Sequence, residues 1–348
     1  MVLFHMSSLN FIDHPIAYPV LIGDIGGTNA RFGILSDAHA EVKSFEIAKA
    51  ANYTTIIEAI EEMVLAKTAL RPRTAVLAIA CPIDAEIVTL TNSHWVVNPK
   101  QMMQELDLAD IVLLNDFEAL ALSLPFMEDD DLENLSGNIP PHAGTKLVIG
   151  PGTGLGAAGL IHAADTWVPV PGEGGHISIG PVTANEISVW PFLQTPVTPI
   201  SAEHLVSGAG LLRLYQAISR MHGTDVICQT PQDVTTAAID GNAGALEAME
   251  LFCTILGRVA GDLALVFMAK GGVYIAGGVS GHILEFLHKS MFVDAFCQKP
   301  PHVELLKAID IVVITHPAPA FLGIASFARM PTMFGVNLGG RRWVSEKP

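Results

Sequence analysis

The stretch Gly23-Asp24-Ile25-Gly26-Gly27-Thr28-Asn29-Ala30-Arg31 gathers glycines, a carboxylate, a hydroxyl and a guanidinium. Gly26 and Gly27 let backbone N–H groups come close to phosphate oxygens. Thr28 adds a hydroxyl donor and Arg31 a charge. Asp24, at the end of an apolar run, is placed to hold Mg²⁺ through water. A bare Gly-Gly pair reads as a hairpin turn; Asp, Thr and Arg beside it turn the reading toward phosphate. A second glycine-rich stretch, Gly150-Pro151-Gly152-Thr153-Gly154-Leu155-Gly156, offers further N–H groups. Alone it is equally a strand turn, but two such hairpins suit one polyphosphate. The chain has no Gly-Lys dipeptide, so it has no Walker A loop, and the first stretch is not a G-x-G-x-x-G dinucleotide turn.

Asn115-Asp116 follows an apolar run and puts a carboxylate beside an amide, a suitable position for a general base. Asp116 as a helix N-cap is the competing reading, and Glu118 reads as a first-turn acid favoured by the helix dipole. Pro171-Gly172-Glu173-Gly174-Gly175-His176 sets a carboxylate and an imidazole in a turn, as fixed partners for polyol hydroxyls, or simply as a solvated loop. Glu203 alone carries no functional signal. Gly208, at a helix start, and Gly277-Gly278, after a strand, permit flat contact with a planar base; strand-to-helix turns explain them as well. Asn92 is placed to face a ligand, whereas Trp95 reads as core.

These groups need elements to hold them. Val20–Ile22, Thr74–Ala80, Ile111–Leu114, Leu147–Ile149 and Ile311–Ile314 are nearly continuous apolar runs, the pattern of strands covered on both faces, hence an α/β fold. Helices are expected at 56–69, 208–221, 243–269, 281–297 and 321–328. The acidic, then Pro/Gly-rich Glu128–Gly144 reads as a linker or exposed loop. The strand–Gly-turn–strand unit at 20–35 is echoed from 147, which points to a duplicated architecture.

The 348 residues carry 19 Lys+Arg against 35 Asp+Glu, a net charge of −16. Such acidity argues against nucleic acid and against anionic membranes. Charged residues make up only 16%, against about 25% in a typical soluble domain, as a large core requires. No C-x-x-C pair occurs among Cys81, Cys228, Cys253 and Cys297, and scattered thiols fit a reducing cytosol. The expected location is therefore cytoplasmic, with no membrane span.

In order, GDIGGTNAR, LNDFEALALSLP, GPGTGLGAAGL, PGEGGH, VSGAGLLRLYQAI, VYIAGGVSG and ITHPAP resemble the bacterial glucokinases of the hexokinase/actin/Hsp70 superfamily, colinearly over residues 18–330. The resemblance implies a two-domain actin-like ATPase fold with ribonuclease H-like halves and a central ligand cleft. It implies ATP-dependent phosphorylation of glucose at its 6-hydroxyl, with Mg²⁺, by a homodimer. Carried over residue by residue, it puts Asp24, Gly26, Gly27 and Thr28 in one phosphate hairpin and Gly152, Thr153 and Gly154 in the other. Asn115, Asp116, Glu173, His176 and Glu203 would bind the sugar, Asp116 acting as base. Gly208, Gly277 and Gly278 would flank the adenosine. The implied domains are 18–126, joined by the returning segment 317–331, and 127–316, with 1–17 an extension and 332–348 a tail, neither placed by the motifs of the resemblance. The Cys-rich zinc motif of the related repressor and sugar-kinase group has no counterpart here, since no cysteine lies between His176 and Cys228.

Three other readings share this fold. A kinase for another hexose or an N-acetylhexosamine differs by one hydroxyl. An actin- or Hsp70-like ATPase would keep both hairpins without the Asn-Asp and Glu/His groups. A sugar-binding regulator needs a DNA-binding appendage, for which 17 N-terminal residues are too few.

Overall fold

In the computed structural model, residues 15–83, 85–90, 93–141, 143–194 and 199–345 are described. The strands are β1 (Val20–Ile25), β2 (Asn29–Leu35), β3 (Lys43–Ser44), β4 (Ala48–Lys49), β5 (Thr74–Ile79), β6 (Val88–Thr89), β7 (Val96–Val97), β8 (Asp110–Asn115), β9 (Leu132–Asn134), β10 (Lys146–Pro151), β11 (Leu155–Ala163), β12 (Thr166–Gly172), β13 (Val273–Ile275), β14 (Ile311–Ile314) and β15 (Arg342–Val344). Two compact units result. One comprises the described residues up to Met127, Leu160–Val170 and those from Pro317 on; the other comprises Glu128–Gly159 and Pro171–His316. Sequence alone puts 160–170 within 127–316. In the structure Trp167 forms a β-bridge with Phe334, and its carbonyl accepts the Gly335 N–H at 2.8 Å.

The sheet of the first unit has the order β15-β8-β5-β1-β2-β3, with β4 also on β2. β1, β5 and β8 are parallel; β2 and β15 run antiparallel to their neighbours. Every residue of β5 is buried, as its unbroken apolar run requires. Leu21, Phe32, Ile34, Ile60, Leu77, Trp95 and Leu113 belong to one core. The helices Asp116–Ser123 and Pro319–Arg329 pack against each other.

The second sheet has the order β12-β11-β10-β13-β14-β9, with β10, β13 and β14 parallel and β9 antiparallel to β14. Both sheets thus read the same way: an antiparallel outer strand, two parallel strands, a founding strand, then the two strands that follow it. The duplication expected from the two glycine-turn units is present in this strand order. The helix Ala243–Phe267, capped by Asn242, supplies much of the second core.

Several elements differ from expectation. Glu128–Gly144, read as a linker or exposed loop, contains β9, which pairs with β14, and the helix expected at 56–69 ends at Met63. The segment 281–297 is not one helix but breaks into Gly278–His282, Leu284–Lys289 and Phe292–Cys297. Ser290 is extended, its hydroxyl accepting the Phe292 N–H at 3.3 Å, while Glu250 takes the Met291 N–H at 3.0 Å. The C-terminal tail, to which the sequence assigns no element, supplies β15. There Arg342 is buried against Asp110 at 2.6 Å. Among the described residues no helix is long and apolar enough to cross a membrane. The four cysteines are free thiols.

Candidate active site

In the first unit β1, β5 and β8 run in register, so Ile25, Ile79 and Asn115 lie side by side at their C-terminal ends. Asp24 sits there with its side chain 19% exposed, 3.5 Å from Arg31. Burial raises the pKa of its carboxyl, and Arg31 opposes the rise. In the β1–β2 turn the Gly26 N–H donates to the Asn29 carbonyl at 3.0 Å, and the Ala50 N–H donates to the Thr28 carbonyl at 2.8 Å. Thr28 itself is exposed.

At the end of β8 the chain turns directly into the helix Asp116–Ser123. The cap is Asn115, not Asp116: its backbone is extended (φ −70°, ψ 151°), and its Oδ1 accepts the N–H groups of Phe117 (3.0 Å) and Glu118 (3.3 Å). The Glu118 carboxylate accepts the Asn115 N–H in return at 3.2 Å, a reciprocal capping box. The amide nitrogen of Asn115 donates to the Cys81 carbonyl at 3.4 Å. Asp116 therefore occupies the first helical position, its Oδ1 accepting the Phe117 N–H at 2.9 Å. Glu118 is more than a first-turn acid: it is buried and paired with Arg341 at 2.6 Å.

In the second unit the loop between β10 and β11 is the hub. The Gly152 N–H donates to the Gly154 carbonyl at 2.8 Å, and the Gly152 carbonyl accepts the Gly208 N–H at 2.9 Å. This joins the loop to the helix Gly208–His222, which Ser207 caps through the Gly210 N–H. Gly277 follows β13 with φ +90°, and a Cβ there would fall 2.6 Å from the Pro151 carbonyl oxygen, so only glycine fits. Gly278 opens a short helix beside open space. Glu203 accepts the Leu155 N–H at 2.9 Å, and its carboxylate lies against Gly154. Gly174 and Gly175 press onto Ala157 and Leu155 of β11, leaving no room for side chains. That contact fixes the turn bearing Glu173 and His176, which lie 3.6 Å apart and are 71% and 63% exposed.

The structure thus brings Gly152, Thr153, Gly154, Glu173, His176, Glu203, Gly208, Gly277 and Gly278 around one loop of the second unit. Asp24, Gly26, Gly27, Thr28, Asn115 and Asp116 lie at the strand ends of the first. Asn92 falls outside the described residues; Trp95 is fully buried, its Nε1–H donating to the Tyr53 carbonyl. What sequence reasoning missed is Arg341, in a Gly-Gly-Arg-Arg segment with no motif. Among the described residues no cluster of three or more His, Cys, Asp or Glu could cage a metal ion.

A family model described as Glucokinase matches residues 21–331. The chain belongs to the glucokinase family. A glucokinase of Rhizobium etli is 48% identical over 339 residues, which span 97% of this chain and 99% of that one. The crystal structure of a glucokinase from an Antarctic psychrotroph superposes with a TM-score of 0.79 at 29% identity, covering 88% of this chain and 98% of its own. A ROK family glucokinase from Streptomyces griseus, solved with glucose and AMPPNP, gives a TM-score of 0.61 at 20% identity, covering 90% and 100%; it bears on the fold alone. The fold is the α/β fold of the actin-like ATPases, as the doubled strand order requires. The matched span stops at Met330-Pro331, so β15 lies beyond what the family model describes.

Proposed function

We propose that this family member transfers the γ-phosphoryl group of ATP to the 6-hydroxyl of glucose, giving glucose 6-phosphate and ADP. The observation that carries the reading is the Asn115-Asp116 geometry. Because Asn115 takes the cap, Asp116 stands at the first helical position, directly after β8, with its Oδ1 on the Phe117 N–H. It accepts the proton of the 6-hydroxyl as that oxygen attacks the γ-phosphorus, the role of a base in phosphoryl transfer. Asn115, Glu173, His176 and Glu203 hold the other sugar hydroxyls. The N–H groups around Gly26, Gly27, Gly152, Thr153 and Gly154 and the Thr28 hydroxyl take phosphate oxygens, and Gly208, Gly277 and Gly278 border the adenosine. Glu203, bonded to Leu155 N–H, ties the sugar-holding set to the phosphate loop.

A partly buried single carboxylate suits Mg²⁺, which keeps several waters and takes most other ligands from phosphates. Asp24 would hold the ion through water, where it would neutralise charge on the transferring phosphoryl. We also propose a cytoplasmic homodimer, the assembly the family resemblance implies. Four free thiols accord with a reducing compartment.

A panel of glucose, mannose, fructose and N-acetylglucosamine against ATP, ADP and polyphosphate tests the activity. Glucose with ATP should give glucose 6-phosphate and ADP in equal amounts. ATP turnover indifferent to added sugar would point instead to a non-kinase ATPase. Replacing Glu173 by Gln together with His176 by Asn should raise the glucose KM by about tenfold or more, the worth of a hydrogen bond involving a charged group. Both side chains are largely exposed, so their mutual pairing adds little stability, and Tm should hardly move. A glucose KM equal to that of the parent enzyme would remove both from the sugar site.

A further inference from the structure

The helix that presents Asp116 has a support from the far end of the chain. Glu118 is 1% exposed by side chain, and its carboxylate makes two kinds of bond. One oxygen accepts the Asn115 N–H at 3.2 Å, which completes the cap. Both oxygens accept from Arg341, Nη1 at 2.6 Å and Nη2 at 3.2 Å, a fork-on-fork pair. The guanidinium is itself fixed: its Nε–H donates to the Asn337 carbonyl at 2.7 Å, and Nη2 donates to that carbonyl too. Its main chain is fixed as well, since its carbonyl accepts the Leu113 N–H at 2.9 Å, two residues before Asn115. One residue therefore grips β8 by its backbone and the following helix by its side chain, on either side of Asn115-Asp116. A buried carboxylate stripped of its cation is costly; turning toward water to lower that cost would take it from the Asn115 N–H that it accepts.

We propose that Arg341 is a positioning residue for phosphoryl transfer: through Glu118 and Leu113 it sets the orientation of Asn115 and Asp116. The inference rests on the reading of Asp116 as the base. The same strand supplies an internal control. Arg342, the next residue, pairs with Asp110 at the opposite end of β8, so disturbing that pair removes stability without touching the cap.

The test compares five variants of the full chain, each measured for Tm and for kcat per folded molecule. Arg341→Gln should lower kcat about 10- to 100-fold, the usual consequence of a base displaced by about 1 Å, with the ATP KM changed less than about twofold. Glu118→Gln should lose kcat to a similar degree, and the double variant should be no worse than either, since both changes break one linkage. Asp110→Asn should lower Tm and leave kcat nearly unchanged. Asp116→Asn, inactive, shows that the underlying reading holds. A lowered Tm with unchanged kcat in Arg341→Gln, alongside an inactive Asp116→Asn, would reduce Arg341 to a structural role and overturn the proposal. An active Asp116→Asn would overturn the base assignment and the proposal with it. If Arg341→Gln does not fold, Glu118→Gln decides: unchanged kcat there overturns the proposal, and a loss sustains it.

Discussion

Asp116→Asn is expected to lower kcat by roughly 10²- to 10⁴-fold, the span that general acid–base catalysis contributes. The substitution keeps the shape and a carbonyl oxygen for the Phe117 N–H that Asp116 now accepts at 2.9 Å. It takes away the negative charge and the capacity to receive a proton. Stability should hold, because the cap is Asn115 and its capping partner is Glu118. The glucose KM should move far less than kcat, the pattern of an interaction made in the transition state. Single-turnover and steady-state assays of sugar phosphate formation, with a thermal melt, check all three points. A variant retaining parental kcat would remove Asp116 from the chemistry.

The second large effect is steric. Gly323 lies where the helix Pro319–Arg329 crosses Asp116–Ser123, and a Cβ there would overlap the Ala119 carbonyl oxygen and come within 2.9 Å of the Ser123 nitrogen. These are backbone atoms, so no side chain can swing aside. Gly323→Ala should cost about 1–3 kcal/mol or somewhat more through overpacking. For a unit of this size that lowers Tm by about 4–10 °C. The helix that must retreat is the one that starts at Asp116, so kcat should fall together with Tm, unlike in Asp116→Asn. Differential scanning calorimetry with a parallel activity assay separates the two behaviours. An unchanged Tm would mean the helices have room between them.

The parts of the fold that sequence discloses are those whose cause is local. Thr74–Ile79 reads as a buried strand because a short, nearly unbroken apolar run rich in small and β-branched residues suits a strand covered on both faces, and all six residues are buried. The helix Gly208–His222 announces itself through Ser207 and a closing Gly223 in the left-handed conformation. Gly277 has a local cause of the same kind: at φ +90° a Cβ would fall 2.6 Å from the Pro151 carbonyl oxygen. Asn115 and Asp116 show the limit. Both are good caps, and which one caps depends on where β8 ends, which its pairing with β5 decides. Ser290 breaks an apolar periodicity that looked continuous: its hydroxyl takes the Phe292 N–H locally, but the acceptor of the Met291 N–H, Glu250, is brought there by the fold. The segment Arg342–Val344 is too short to declare a strand. It is one because β8 offers a ladder edge and Asp110 a buried counter-charge, neither of them near it in sequence.

That distance has a consequence in time. Arg341 and Glu118 are separated by 223 positions. At the usual translation rate of about 5–20 residues per second, roughly 10 to 45 s pass between the synthesis of the two. For that interval Glu118 has no Arg341 to meet it, and β8 has no β15 to pair with its edge. The first unit is begun early and finished last, so a ribosome-bound chain carries Glu118 well before it carries Arg341.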